Sequence, residues 1–119
     1  MKKGINTQLI IIGGGPSSLF LLMNLLKNSK QHKPINKIIL LEKNERLGPG
    51  MPFNENYNDI NNLANITGEE IPKLPQTLKE WLLKQNTDFL QHWNINHEDI
   101  SDKNLYPRIV LGKYFTAQY

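Results

Sequence analysis

A glycine run near the start of the chain has the residue types and spacing of a dinucleotide-binding turn. Gly13, Gly15 and Ser18 occupy the three small-residue positions of the pattern Gly-x-Gly-x-x-Gly, with Ser18 in place of the third glycine. The first permits a tight turn, the second lets a pyrophosphate approach the backbone, and the third lets a helix pack closely on a strand. A plain tight turn would also explain the glycines. We expect glycine to be tolerated, or to help, at position 18.

A carboxylate follows at a second informative position. Glu42 directly follows the apolar run 38–41. At the end of the second strand of a dinucleotide-binding unit, a carboxylate accepts both hydroxyls of an adenosine ribose and repels a 2′-phosphate, which disfavours NADP at this site. Glu42 lies 27 residues after Gly15, more than the usual roughly 20, and the polar loop 28–36 accounts for the excess. The alternative is that Glu42 is an exposed strand end.

Residues 7–42 are predicted to form a strand, a helix and a second strand, which together position these residues. The run Leu9–Ile12 has no polar alternation, which predicts a strand buried on both faces, as in a parallel sheet covered by helices. Leu19 to about Lys27 predicts a buried helix, and Lys37–Glu42 a second buried strand. This order predicts a βαβ unit with a right-handed crossover.

The remainder of the chain predicts a long loop followed by helices. Residues 43–76 are irregular, and long loops in compact domains are usually functional. A capping box beginning at Thr77 predicts a helix from Leu78 to about Gln85, and a weaker signal predicts a short helix from Thr87 to about Trp93. Pro107 suits the first turn of a last helix.

Four later segments make the pattern specific, in the order Glu42–Phe53, Asn62–Ile66, Leu78–Leu82 and Tyr106–Tyr114. They carry, in turn, a glycine-rich loop after the glutamate, an asparagine-bearing segment, a tryptophan helix and a Pro-Arg…Gly-x-Tyr segment. The chain resembles the two-dinucleotide-binding-domain flavoproteins and, more closely, the FAD/NAD(P)-binding protein family. More distantly it resembles flavin-dependent N-hydroxylating monooxygenases. It departs from the family at Ser18 and over residues 86–104, which read as an insertion.

The resemblance implies an α/β fold, namely a Rossmann-type FAD-binding βαβ unit (residues 7–42) with an appended glycine-rich loop and helical segment (residues 43–119). The family's complete domain has further strands, so residues 1–119 are expected to be its N-terminal part, apparently truncated. FAD is the expected cofactor and NAD(P)H a possible co-substrate. The expected cofactor-binding residues are Gly13, Gly14, Gly15, Pro16, Ser17, Ser18, Glu42, Lys43, Arg46, Gly50, Asn65 and Arg108.

Several of these residues have competing interpretations. Arg108 could reach a phosphate or a substrate carboxylate with its planar fork, or lie exposed in the first turn of its helix. Asn65 is a site candidate in a chain where asparagine is abundant. Trp81, Tyr114 and Phe115 are expected in the core.

Three functions remain open. The chain could be the FAD-anchoring part of an NAD(P)H-linked oxidoreductase, a dinucleotide-binding module without turnover, or a truncated piece that binds nothing tightly. No acid, base or nucleophile constellation identifies a catalytic residue. The three histidines lack ligand spacing, so no metal site is expected.

The amino-acid composition limits the classes of binding partner that are expected. The net charge is +3, but the basic residues are mostly dispersed lysines, which favours a solvated surface over a nucleic-acid interface. The apolar runs are too short to span a membrane, and the absence of cysteine fits a cytoplasmic location. The expected partner is a dinucleotide. A two-stranded sheet cannot bury itself well, so we also expect self-association or completion by a missing C-terminal part.

Overall fold

A strand–helix–strand unit opens the part of the chain, residues 8–119, that this computed structural model describes. Strand β1 spans Gln8–Ile12, helix α1 Pro16–Lys27 and strand β2 Lys37–Leu41. The two strands pair in parallel, with Gln8 opposite Lys37 and Ile12 opposite Leu41. The expected α/β unit is therefore present and compatible with a βαβ arrangement. Thr7, its expected first residue, lies outside the described residues.

Helix α1 begins three residues earlier than the apolar pattern predicted. Pro16 is its first residue and Gly15 its N-cap. The first N–H groups of a helix have no intrahelical partner, so proline costs nothing there, and its fixed φ already suits a helix. The prediction placed the start at Leu19 because it assigned Pro16, Ser17 and Ser18 wholly to the turn.

The rest of the chain contains three further helices and two short 3₁₀ turns. Helices α2, α3 and α4 span Leu78–Leu83, Thr87–His92 and Arg108–Gln118, and the 3₁₀ turns span Gly68–Glu70 and His97–Asp99. The capping box before α2 is confirmed, although α2 ends at Leu83 rather than near Gln85.

Helix α3 begins at Thr87 as predicted, whereas α4 begins one residue later than expected. The cap of α3 is Asn86, whose side chain accepts the Phe89 N–H at 2.8 Å, so α3 does not rely on a threonine cap. Pro107 is the N-cap of α4 rather than part of its first turn.

The hydrophobic core is built almost wholly from residues after Lys43. Within the main cluster only Leu19 comes from the βαβ unit, and Ile11 of β1 is buried apart from it. The other buried members of the cluster are Ala64, Leu74, Leu78, Trp81, Leu82, Leu90, Trp93, Ile100, Tyr106, Ile109, Val110, Leu111, Tyr114 and Phe115. The rings of Phe20 and Phe115 meet edge to face at 5.9 Å, which joins α1 to this core. The core positions expected for Trp81, Tyr114 and Phe115 are confirmed.

The sheet is more exposed than predicted. Ile12 is 84% exposed, and Ile10 and Leu41 are each more than half exposed. Leu26 on α1 is 65% exposed. The expectation of strands buried on both faces is wrong for residues 8–119, because within this range the helices after Lys43 pack on each other and cover only one side of α1. No helix among the described residues is long and apolar enough to cross a membrane.

Candidate functional site

The glycine turn after β1 has the strained geometry that the spacing predicts. Gly13 has a φ of +97°, a region that other L-residues rarely adopt. Its N–H donates to the Leu41 carbonyl at 2.7 Å, which fixes the turn to the end of β2. The Ser18 hydroxyl donates to the Gly13 carbonyl. Ser18 is therefore more than a tolerated small residue, because it ties the turn to the first turn of α1.

The N-terminus of α1 suits an anion. Gly15 offers no side-chain cap, the first turn holds no acidic residue, and Pro16 has no N–H to satisfy. The N–H groups that open a helix, together with the positive end of its dipole, favour phosphate and carboxylate groups. The N-terminus of α1 lies at the same edge of the sheet as the carboxyl ends of both strands.

Glu42 lies against the glycine turn. The Gly14 N–H donates to Glu42 Oε2 at 2.6 Å, and the Asn44 N–H donates to Glu42 Oε1 at 3.1 Å. These hydrogen bonds, that from Asn44 first, hold the pKa of the Glu42 carboxyl below its ordinary value. Glu42 is thus ionised at neutral pH, next to the backbone that would carry a pyrophosphate.

A second glycine segment folds directly onto the first. The Gly48 N–H donates to the Gly14 carbonyl at 2.7 Å. A Cβ on Gly15 would lie 3.3 Å from the Cα of Gly50. The sequence assigned the bare Cα of Gly15 to an approaching pyrophosphate; the structure gives it a packing role against Gly50. What the Gly48–Pro49–Gly50 backbone passes closely is the glycine turn itself.

Helix α4 holds this second segment in place. The Thr116 hydroxyl donates to the Leu47 carbonyl at 2.8 Å. Gly48, at a φ of +119°, lies so close to the Thr116 backbone that a Cβ would overlap it. Gly112 allows the Phe53 carbonyl an equally close approach. The two glycine segments and α4 therefore form one packed unit.

Lys43 and Arg46 line a cavity beside the turn rather than the turn itself. The cavity has a volume of about 620 Å³ and lies between residues 43–56 and one face of α4. Pro49 and Phe53 contribute apolar surface to it. Its volume falls within the range typical of small-molecule sites.

Asn65 and Arg108 are not brought to the glycine turn. Arg108 opens α4, and its Nε donates to the Leu63 carbonyl at 3.3 Å. Leu63 pairs with Pro107 in an isolated antiparallel bridge. With a rise of 1.5 Å per residue, the length of α4 separates Arg108 from the turn-facing end of the helix by about 16 Å. Both residues were expected to bind the cofactor, and their placement at the far end of α4 leaves that expectation untested while separating them from the glycine turn.

No metal cluster is found in the described range. Residues 8–119 contain no group of three or more His, Cys, Asp or Glu side chains that could hold a metal ion. Both ring nitrogens of His32 lie within hydrogen-bonding distance of backbone carbonyls, Lys33 O at 2.8 Å and Leu25 O at 3.0 Å.

Three contributors to the site were missed by the sequence reasoning. Asn44 supports Glu42 through its backbone, Thr116 fixes the glycine-rich loop, and the Tyr119 hydroxyl donates to the Gly15 carbonyl at 2.7 Å. Backbone N–H groups have no residue signature, and the contacts of Thr116 and Tyr119 cross 69 and 104 positions of sequence. Only the paired glycines at 48 and 50 gave a signal, and they pointed to a close approach without naming the partner.

Comparison with known proteins decides the family. The family model described as FAD-NAD(P)-binding matches residues 10–119. The chain belongs to this FAD-NAD(P)-binding family. The resemblance found in the sequence is thereby confirmed, and a dinucleotide is the ligand class of the family.

A curated relative supports the same assignment. The FAD-NAD(P)-binding chain is 37% identical over 112 residues to a protein of Escherichia coli (strain K12) that bears the name Uncharacterized protein YdhS. The match covers 94% of this chain and 20% of the relative, so the chain spans about a fifth of that protein's length. No solved structure matches significantly.

Proposed function

We propose that this member of the FAD-NAD(P)-binding family forms the FAD-anchoring part of a flavin-dependent oxidoreductase linked to NAD(P)H. In this proposal β1, α1 and β2 are the first βαβ unit of a Rossmann-type domain. The glycine turn holds the pyrophosphate, and Glu42 holds the adenosine ribose.

The contact between Glu42 and the Gly14 N–H carries the proposal. It sets a carboxylate beside a glycine turn at the uncapped N-terminus of a helix, and a dinucleotide needs both groups at neighbouring positions. The Glu42 carboxylate can also accept further hydrogen bonds. An ionised carboxylate has about four acceptor positions. The Gly14 and Asn44 N–H groups use one on each oxygen, and the Lys43 N–H adds a weaker interaction, which leaves acceptor capacity for the ribose.

The other candidate residues have different roles in this proposal. Ser17 and Ser18 present first-turn N–H groups to the phosphates. Lys43 and Arg46, at the cavity beside Glu42, attract the anionic cofactor. Gly50 supports the turn through its contact with Gly15.

FAD, when bound, supplies the relay of electrons between a nicotinamide and the second substrate. The residues described here bind and orient the adenosine and pyrophosphate portions, and none of them is placed to move a proton during turnover.

The visible spectrum of the purified chain tests the proposal. We expect a yellow protein, or flavin uptake when FAD is added, detected by quenching of free-flavin fluorescence and by a raised unfolding midpoint. Anaerobic NADH and NADPH, added separately, then report reduction by bleaching. Flavin binding without bleaching by either nicotinamide would favour a dinucleotide-binding module. A colourless protein that FAD does not stabilise would refute the proposal and favour a fragment that binds nothing tightly.

A further inference from the structure

The end of α4 reaches the glycine turn through one side chain. The Tyr119 hydroxyl donates to the Gly15 carbonyl at 2.7 Å. Tyr119 is 37% exposed, so its ring is partly covered and its hydroxyl lies where the turn meets solvent. No sequence motif assigns this residue to the cofactor site.

The hydroxyl lies at the first turn of α1, where the proposed pyrophosphate would bind. Besides the Gly15 carbonyl, the Tyr119 hydroxyl interacts with the Ser18 side chain and the Leu19 backbone at the first turn of α1. The negative charge of Glu42 also acts on this hydroxyl. Burial, followed by the Glu42 charge, raises the pKa of Tyr119, so the hydroxyl is a neutral donor at physiological pH.

Holding α4 in place does not depend on the Tyr119 hydroxyl. Thr116 already bonds the Leu47 carbonyl, and Tyr114 bonds the Gln76 carbonyl at 2.6 Å. The Gln76 N–H donates to the Gln118 side chain at 3.1 Å. With three hydrogen bonds along its length, α4 is fixed without its last contact.

Resting on the proposed function, we propose that Tyr119 is a phosphate-binding residue of the dinucleotide site. When a pyrophosphate binds at the N-terminus of α1, the hydroxyl turns from the Gly15 carbonyl and donates to a phosphate oxygen. The exchange is favourable because a hydrogen bond to an anion is stronger than one to a neutral carbonyl. Gly15 loses little, because its carbonyl keeps the Leu19 N–H at 3.3 Å.

The variant Tyr119→Phe removes the hydroxyl and keeps the ring. Tyr57→Phe is the matched control, because Tyr57 is 58% exposed and does not line the cavity beside the turn. Affinities of both variants and of the unmodified chain are measured for FAD, ADP and adenosine by calorimetry, with flavin fluorescence as a second readout for FAD. Unfolding midpoints without ligand are measured on the same samples.

We expect Tyr119→Phe to weaken FAD and ADP about five- to tenfold, the difference between a neutral and a charge-assisted hydrogen bond. Adenosine, which has no phosphate, should bind the variant and the unmodified chain equally. A purely structural role would instead weaken adenosine as much as ADP, and that result would overturn the inference. So would unchanged or tighter FAD binding by Tyr119→Phe, the latter showing that the hydroxyl obstructs the site.

The two proposals fail in different ways. If the unmodified chain binds FAD and ADP but Tyr119→Phe behaves like Tyr57→Phe, only the role of Tyr119 is refuted. If the unmodified chain binds neither ligand, there is no phosphate site, and the proposed function and this inference are both refuted.

Discussion

Replacing Glu42 by alanine separates its observed role, supporting the turn, from its proposed role, binding the ribose. Without ligand, Glu42→Ala removes the acceptor of the Gly14 and Asn44 N–H groups. Hydrogen bonds to charged groups contribute about 1.5–3 kcal/mol each when well shielded. Glu42 is only partly buried, so water replaces the lost acceptor on both N–H groups. The expected loss of stability is therefore about 0.5–1.5 kcal/mol.

Glu42→Ala should weaken FAD binding by more free energy than it removes from folding stability. Loss of the carboxylate removes the acceptors for the ribose hydroxyls, and we expect FAD affinity to fall by about 1–3 kcal/mol, or roughly 5- to 150-fold. Urea unfolding followed by circular dichroism measures the first quantity, and flavin-fluorescence titration measures the second.

Glu45→Ala is the matched control. It removes the same charge three positions away, from an exposed side chain for which residues 8–119 provide no ion pair or hydrogen bond. It should leave stability nearly unchanged and should not weaken FAD binding, since Glu45 is a negative charge at the cavity that Lys43 and Arg46 line. If Glu42→Ala binds FAD as tightly as the control does, Glu42 is not part of the site, whatever its effect on folding.

Four further outcomes are expected. Because the pKa of Glu42 is lowered in the folded state, its carboxylate adds stability that is present above about pH 4.5 and is lost as the pH falls through the lower folded pKa. The unmodified chain should therefore be more stable than Glu42→Gln at neutral pH, and a difference that disappears as the pH is raised would contradict this reasoning. Gly48→Ala should lower the unfolding midpoint more than Gly13→Ala, because both have positive φ but only Gly48 lacks space for a Cβ; equal losses would mean that φ strain alone matters. Ser18→Gly should cost about 0.5–1.5 kcal/mol in urea unfolding through loss of the bond to the Gly13 carbonyl, and a neutral result would restore the simpler expectation that position 18 only needs to be small. Light scattering at low micromolar concentration should show self-association that Ile12→Lys reduces, because this side chain is 84% exposed on an open apolar sheet; a monodisperse monomer would refute that idea.

The sequence predicted the local elements because their signals are local. Apolar runs located both strands, and the capping box located the start of α2. The burial of the strands could not be predicted in the same way, because an apolar strand reads the same whether or not a second layer of the domain lies within the chain. Ile10 and Ile12 are exposed because nothing within residues 8–119 covers them.

The site was predictable in its residue types and not in its contacts. The turn geometry at Gly13 follows from the glycine itself. The packing of Gly15 on Gly50 and the support of Glu42 by two backbone N–H groups depend on where a long loop returns. Asn65 and Arg108 were expected at the cofactor site from the family resemblance, which carries no information about their distance from the glycine turn.

The joining of the glycine turn to α4 has a kinetic consequence. The contacts that complete the turn link residues 69 and 104 positions apart, and closing such long loops costs chain entropy before any contact repays it. The local helices α2 and α3 can form early, whereas the turn of Gly13–Gly15 reaches its final packing only after the chain through Tyr119 has been synthesised and docked. A nascent chain on the ribosome would therefore complete the packing of its glycine turn last, after the local helices have formed.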